Sequence, residues 1–383
     1  DPMLSEAGLT ATNYTDALAH IAQQFVGHDT VPAIRSLGSG NINDTYLVDT
    51  EQPFVLQRIN TQVFPQPDQV MDNLCRFVSH AHQRLGQTPL NRRWEVPHVL
   101  RTLDDQHYWH DAQGHIWRGL SFVKGTTTFN TIQDSTHAVE IGHGLGYFHS
   151  LLSDLPITSL TDTLPGFHIT PGYLKQYDLT LAQAKILSLE EQHCCSLIEH
   201  HRNHLSVLED AKASGSLPLR PIHGDPKINN ILIDTTTGQA ASLIDLDTVK
   251  PGLVHYDIGD CLRSSCNPLG EETMHWQTVT FDVDLCAAVL RGYLSSASDF
   301  LYPIEYDYIY DAIWLITFEL GLCFFSDHLA GDIYFKTQRP HHNLERALVQ
   351  FQLAKSISMQ KSAIQTVINQ LRTHYCSEAR YAA

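Results

Sequence analysis

One β-rich island interrupts an otherwise helical half of the chain: Pro221-Ile-His-Gly-Asp-Pro-Lys-Ile-Asn-Asn-Ile-Leu-Ile-Asp234, a turn at Thr235 to Gly238, then Ala241-Ser-Leu-Ile-Asp-Leu-Asp247. Two apolar, β-branched runs around a Thr/Gly turn predict a β-hairpin. Asn230 precedes the first run and Asp245 closes the second, so antiparallel pairing brings both oxygen-bearing side chains to one end of the ribbon. Magnesium takes a few carboxylate or amide oxygens together with nucleotide phosphates, and this pair supplies such a partial shell. Asp225, on the loop entering the hairpin, adds a carboxylate beside that position, where a catalytic base should stand.

The order His223-x-Asp225-x-x-x-x-Asn230, followed by a strand-terminal Asp, is the phosphoryl-transfer layout of protein kinases, with Gly224 where Arg is usual. Taken singly, each residue has a plain structural reading, as a loop cap or a strand end. Their joint spacing is what points to chemistry. His223 is expected to hold the loop through hydrogen bonds and to move no proton.

Upstream, the first third alternates short β-branched or aromatic runs with turns: 34–37, 45–49, 54–59, 107–109 and 116–122. Val70, Leu74, Phe77, Val78 and Ala81 place one helix over 68–85 between them. After Lys124-Gly125 the periodicity turns helical, over 138–152, 179–207, 282–294, 306–325 and 344–371. The expected fold is therefore α+β and bilobal, protein-kinase-like, with a small antiparallel β lobe (1–122) hinged to a larger helical lobe (123–383) around a cleft.

Within the small lobe, Gly38, Ser39 and Gly40 lie between two predicted strands, where exposed backbone N–H groups could cover nucleotide phosphates; an ordinary hairpin is the alternative. The third strand offers Arg58 in place of the expected Lys. Whether Arg58 or Gln57 points inward depends on register, and the helix partner would be Asp72 or Asp68. Val123, in Phe122-Val-Lys-Gly125, sits where an interlobe hinge would bind adenine, although an edge strand ending in a turn fits equally. Arg263 could steady phosphate or pair with Asp257 or Asp260, and the ion pair is the preferred reading.

Composition excludes several classes. The 42 acidic against 25 basic residues give a formal charge of −17, a field that repels nucleic acid and anionic membranes. Eight cysteines without a C-x-x-C, and 23 scattered histidines, write neither a zinc site nor a disulfide framework. The most apolar run, 312–325, carries Glu319 and is short for a membrane span of about 20 residues, so it reads as a buried helix. Asp1-Pro2-Met3 reads as an expression remnant before an initiator methionine, with no signal-peptide pattern after it, and a cytoplasmic protein is expected.

At these residues the chain resembles the aminoglycoside phosphotransferase and choline kinase superfamily, whose signature is His-Gly-Asp or His-Asn-Asp, Asn five positions after the Asp, and a later metal-binding Asp. More narrowly it resembles the bacterial N-acetylhexosamine 1-kinases, through Gly38-Ser-Gly-Asn-Ile-Asn-Asp-Thr-Tyr46, Val55-Leu-Gln-Arg-Ile-Asn60, Lys227-Ile-Asn-Asn230, Ile244-Asp-Leu-Asp-Thr-Val249, Gly259-Asp-Cys-Leu-Arg263 and Gly331-Asp-Ile-Tyr-Phe335. The resemblance implies ATP- and Mg2+-dependent phosphorylation of the anomeric hydroxyl of an N-acetylhexosamine, with Asp225 as base, Asn230 and Asp245 on the metal, and Tyr334 lining the sugar pocket. Two positions depart from that group: Asn41 stands where His is common and Cys323 where Arg is common, both facing the sugar. A lost polar recognition contact shifts specificity by orders of magnitude, so a different acceptor is compatible with the same chemistry. The expected activity is a sugar kinase, with a kinase of an amine-bearing alcohol (choline, homoserine, an aminoglycoside) or a nucleotide-binding pseudokinase as alternatives.

Overall fold

The computed structural model describes residues 11–29, 33–37, 42–88, 90–186 and 188–378. It contains two compact units, one holding residues up to His82 with Glu95–Lys124, the other Gln83–Trp94 with the chain from Gly125 onward.

The first unit is a five-stranded antiparallel sheet with two helices: α1 (Ala11–Val26), β1 (Ala33–Ser36), β2 (Asp44–Asp49), β3 (Phe54–Arg58), α2 (Pro67–Gln87), β4 (Trp109–His110) and β5 (Ile116–Ser121), in strand order β1-β2-β3-β5-β4. The predicted strands and α2 are all present, with β4 displaced toward His110. Helix α1 is an addition. Leu18, Ile21, Ala22 and Phe25 recur at helical spacing and pack on Val48, Phe54, Leu56 and Trp117, one face of the sheet. The opposite face meets α2, whose buried side includes Met71, Leu74, Phe77 and Val78.

The second unit begins with β6 (Thr126–Thr127), α3 (Ser135–Leu152), α4 (Thr170–Leu181), α5 (Leu189–His201) and α6 (Val207–Ala213). The island follows as β7 (Arg220–Ile222), β8 (Ile231–Asp234), β9 (Ala240–Leu243) and β10 (Lys250–Gly252). Helices α7 (Val254–Ser265), α8 (Val283–Ala297), α9 (Pro303–Asp307), α10 (Ile309–Ala330), α11 (His342–Met359) and α12 (Lys361–Glu378) complete it. β6, β8 and β9 form one small sheet, and β7 pairs with β10.

Three helical expectations change. The stretch 179–207 is not one helix: α4 stops at Leu181, and α5 restarts at a capping box in which Ser188 Oγ accepts from Glu191 N (3.1 Å) while Glu191 accepts from Ser188 N (2.9 Å). The stretch 344–371 breaks at Gln360, whose side chain donates to Phe281 O at 2.7 Å. Helix α10 runs 22 residues, longer than expected and long enough to cross a membrane. It is a core helix all the same, with most of its apolar window buried, packed on α4, α7 and α11.

Helices α3 and α8 approach at backbone distance because glycines face each other. A Cβ on Gly142 would stand 1.8 Å from Val289 O, and one on Gly292 would stand 1.9 Å from Val139 O. The same α3 lies against β9, so this packed pair is the platform behind the island.

Candidate active site

The hairpin forms with Ile231 opposite Leu243, and one step further out Ile244 N donates to Asn230 O at 2.9 Å. Asn230 and Asp245 therefore reach the same end of the ribbon, as the sequence predicts. A register shift after Leu232 makes Ile233 pair with Ala240, a bulge that adds local twist. Asp245 lies beyond the end of β9, at φ 65°, ψ 65°, just before a 3₁₀ turn at Leu246–Thr248. A non-glycine residue held in the left-handed region stores on the order of 1–3 kcal/mol and persists only where its surroundings over-determine it.

The loop before β8 is pinned from several sides. Asp257 on α7, completely buried, accepts His223 N at 2.7 Å on one oxygen and Gly224 N at 2.8 Å on the other. His149 Nε2 donates to the first oxygen at 2.6 Å, and Tyr293 Oη lies 2.9 Å from its other nitrogen. Buried as it is, the Asp257 carboxyl is held below its ordinary range by His149, His223 and these amides. His223 takes the structural part expected of it: its Nε2 donates to Ile244 O (2.9 Å) and its Nδ1 accepts Asp225 N (3.2 Å), tying the loop to β9's end. Gly224 sits at φ +92°, and a Cβ there would be 2.9 Å from Thr248 Cβ, Oγ1 and carbonyl oxygen. Only glycine fits, which explains why the Arg of the protein-kinase pattern is replaced.

Asp225 emerges from this scaffold with 28% of its side chain exposed, and Lys227 Nζ lies 3.3 Å from its Oδ2. Burial raises the Asp225 pKa and Asp260 adds to the rise, against the opposing pull of Lys227 and His223. The Lys227 ammonium is held on its proton chiefly by Asp225. Asn230 Nδ2 donates to Asp225 O at 2.8 Å, which leaves Oδ1 as the amide atom for a cation. One amide and one carboxylate oxygen suit a hard cation that keeps other oxygens in its shell. Among the described residues no three His, Cys, Asp or Glu side chains gather as a metal site. The sequence reading gave Lys227 and His149 no role here, and it offered Asp257 only as a partner of Arg263, whereas Asp257 holds the loop amides instead. Lys227 lay inside the quoted motif, whereas Asp257 and His149 are far apart in sequence and only the packing of α3 on α7 joins them.

Cys323 and Tyr334 share the neighbourhood of Asp225. Tyr334 is two-thirds exposed; partial burial, then Cys323, Asp225 and Asp327, raise its phenol. Its loop is built by Asp327, which accepts from the amides of Ile333 (3.0 Å), Tyr334 (2.8 Å) and Phe335 (2.9 Å). Burial, with Glu319 and Asp327 a helical turn away on either side, pushes the Cys323 thiol up. Arg263 pairs with Asp260 (2.8 Å) and Glu271 (2.8 Å), the structural ion pair.

In the first unit, Arg58 and Gln57 point to opposite faces. Arg58 pairs with Asp44 (Nε to Oδ2, 2.8 Å) on the α1 side, over Trp117. Its partner is thus not Asp68 or Asp72 of α2; Asp68 instead accepts from Tyr108 Oη at 2.7 Å. Gln57 faces α2, where its Oε1 accepts Arg118 Nε (3.0 Å) and Nη2 (2.7 Å), while Arg118 Nη1 meets Met71 Sδ. Arg118, on β5 opposite Gln57, was not singled out from sequence because nothing local marks it. Val123 is buried just past β5. Gly38, Ser39, Gly40 and Asn41 lie outside the described residues.

The model of the phosphotransferase enzyme family matches residues 33–295. Among solved structures, the chain is similar to a microcompartment-associated aminopropanol kinase, at 16% identity and TM-score 0.61 over 93% of this chain and 99% of that one. A choline kinase from Cryptosporidium parvum matches at 14% and 0.59, over 94% and 99%. An aminoglycoside phosphotransferase from Alicyclobacillus acidocaldarius matches at 16% and 0.58, over 98% of each chain. What these structures share with the chain is the α+β, protein-kinase-like fold, a small antiparallel-sheet part and a larger helical part.

Proposed function

Because the chain belongs to the phosphotransferase enzyme family and is a small-molecule phosphotransferase, we propose that it transfers the γ-phosphoryl group of ATP to the anomeric hydroxyl of an N-acetylhexosamine or a related sugar. The observation that carries the chemistry is the Asp225–Lys227 pair set beside Asn230 and Asp245 on one pinned loop and hairpin end. Asp225 takes the hydroxyl proton as the alcohol oxygen bonds to the γ-phosphorus, and the bond to the bridging oxygen of ADP breaks in line. A carboxyl whose pKa is raised holds that proton more readily. Lys227 balances charge on Asp225 and on the phosphoryl oxygens. Asn230 and Asp245 would hold Mg2+, which when bound neutralises phosphate charge. From the sequence motifs the nucleotide is assigned to Gly38, Ser39, Gly40 and Val123, with Arg118 on the α2 face taking the cation's place that the sequence reading offered to Arg58, and the acceptor is assigned to Asn41, Asp225, Cys323 and Tyr334.

The sugar reading is supported by the motifs around Asn60, Asn230, Val249 and Phe335. One observation favours an amine-bearing alcohol instead: the position of Cys323 carries a neutral thiol, held up by burial, and so supplies no side-chain cation that would repel an ammonium group. The solved aminopropanol and choline kinases act on such molecules. Magnesium-dependent ADP release with N-acetylglucosamine, N-acetylgalactosamine, glucose, choline, homoserine and kanamycin separates the readings. We expect release with an N-acetylhexosamine and phosphate on its anomeric oxygen. Release with the amines alone would replace that acceptor, and ATP binding without any release would return a pseudokinase.

A further inference from the structure

The carbonyl of Gly224 has a partner on the side away from Asp257. His168, in the loop before α4 and 8% exposed, places Nε2 2.7 Å from Gly224 O and Nδ1 2.7 Å from Glu319 Oε1 on α10. A carbonyl and a carboxylate both accept, so both ring nitrogens must donate, and the ring is an imidazolium. Thr170 Oγ1 donates to the other Glu319 oxygen (2.5 Å), and His168 N donates to Tyr173 Oη (3.1 Å). His168 itself is held at φ 62°, a left-handed conformation that these contacts fix. Gly224 is thus gripped at its N–H by Asp257 and at its C=O by His168, immediately before Asp225 and at the most flexible residue type of the loop.

We propose that His168 is a positioning residue for Asp225: as a doubly donating imidazolium it bridges Glu319 to the Gly224 carbonyl, and loss of its proton releases the loop. This rests on reading the loop as the phosphoryl-transfer loop. A neutral imidazole has one N–H, so above the transition either the Gly224 carbonyl or the Glu319 Oε1 atom loses the ring as donor. The groups facing the ring are Glu319 on α10, Asp260 and the stacked Tyr256 on α7, Tyr173 on α4, and the neighbouring Phe167. Burial by itself lowers the His168 pKa, but Glu319, then the Gly224 contact and Asp260, override it and raise it to about 9. The bridge is therefore intact at neutral pH. It also links the loop to the helix that carries Cys323, one turn beyond Glu319, so the base and the acceptor-side helix move as one body.

The test is a pH titration of the full chain by nuclear magnetic resonance. The His168 imidazole, identified by its loss in His168→Gln, should titrate near pH 9, and the Gly224 and Asp225 amide signals should move with the same midpoint. In Glu319→Gln the midpoint should fall by two units or more, and the alkaline limb of kcat for Mg-ATP with N-acetylglucosamine should fall with it, while the KM for ATP stays within about twofold. Amides that ignore the His168 midpoint in the wild-type chain would overturn the proposal, whether or not the variants fold. A chain whose amides follow the midpoint but which turns over no acceptor would keep the bridge and overturn the kinase reading.

Discussion

Asp257→Asn should damage the site without touching any reacting group. Asp257 is buried at 0% exposure and receives three donors on two oxygens: His223 N at 2.7 Å, Gly224 N at 2.8 Å and His149 Nε2 at 2.6 Å. An asparagine keeps one acceptor oxygen and turns an N–H2 toward the remaining donors. His149 can adapt by changing tautomer, since Tyr293 Oη can accept as well as donate. A backbone N–H cannot, so one of the two loop amides is left buried against a donor. Losing a charge-assisted bond and stranding its donor costs about 3 kcal/mol, and at about 2 °C per kcal/mol for a unit of this size the melting temperature falls by roughly 6 °C. Because Gly224 directly precedes Asp225, kcat should fall by at least about tenfold as the base loses its position, with the KM for ATP nearly unchanged. Thermal melts and initial rates on the same preparation check both. A variant that melts within 1 °C of the parent would refute the argument that Asp257 anchors the loop.

Asp225→Asn should lower kcat by at least about 10² through loss of the positioned base, leaving ATP binding measured by calorimetry intact; near-normal turnover would remove Asp225 from that role. The Glu319–His168 bridge gives stability a direction with pH. Since the folded pKa is raised to about 9 from 6.5, its contribution is full below about pH 6.5 and is lost as pH rises through about 9, a change on the order of 3 kcal/mol; urea unfolding across that window should show it in the parent and not in Glu319→Gln. Gly142→Ala forces α3 and α8 apart by more than an ångström, the new Cβ otherwise lying 1.8 Å from Val289 O, and should cost about 3 kcal/mol or prevent folding, read by denaturation and soluble yield. On the nucleotide side, Arg118→Met should raise the KM for ATP at least tenfold and Arg58→Met less than threefold. The reason is that Arg118 stands on the α2 face, the side from which a kinase's third-strand lysine meets its helix partner, and the reverse order of effects would return the role to Arg58.

Local period and pairing between chain neighbours were enough to read the strands of the first unit with α2 among them, though not α1, and to read the hairpin and the gathering of Asn230 and Asp245 at its end. His223, Asp225 and Asn230 were legible for the same reason: their spacing is set by one short loop. Helix α7 escaped because Asp257, Asp260 and Arg263 break its apolar period while being buried by pairing, and α10 was read too short. Tertiary structure alone decided what holds the loop. His149, Asp257, His168 and Glu319 come from α3, α7, a loop and α10, and no sequence period records a contact between residues more than a hundred positions apart. It also decided the faces of β3, since the alternation of Gln57 and Arg58 is written in the chain, whereas which side receives α1 and which α2 follows only from how the helices bury their apolar stripes.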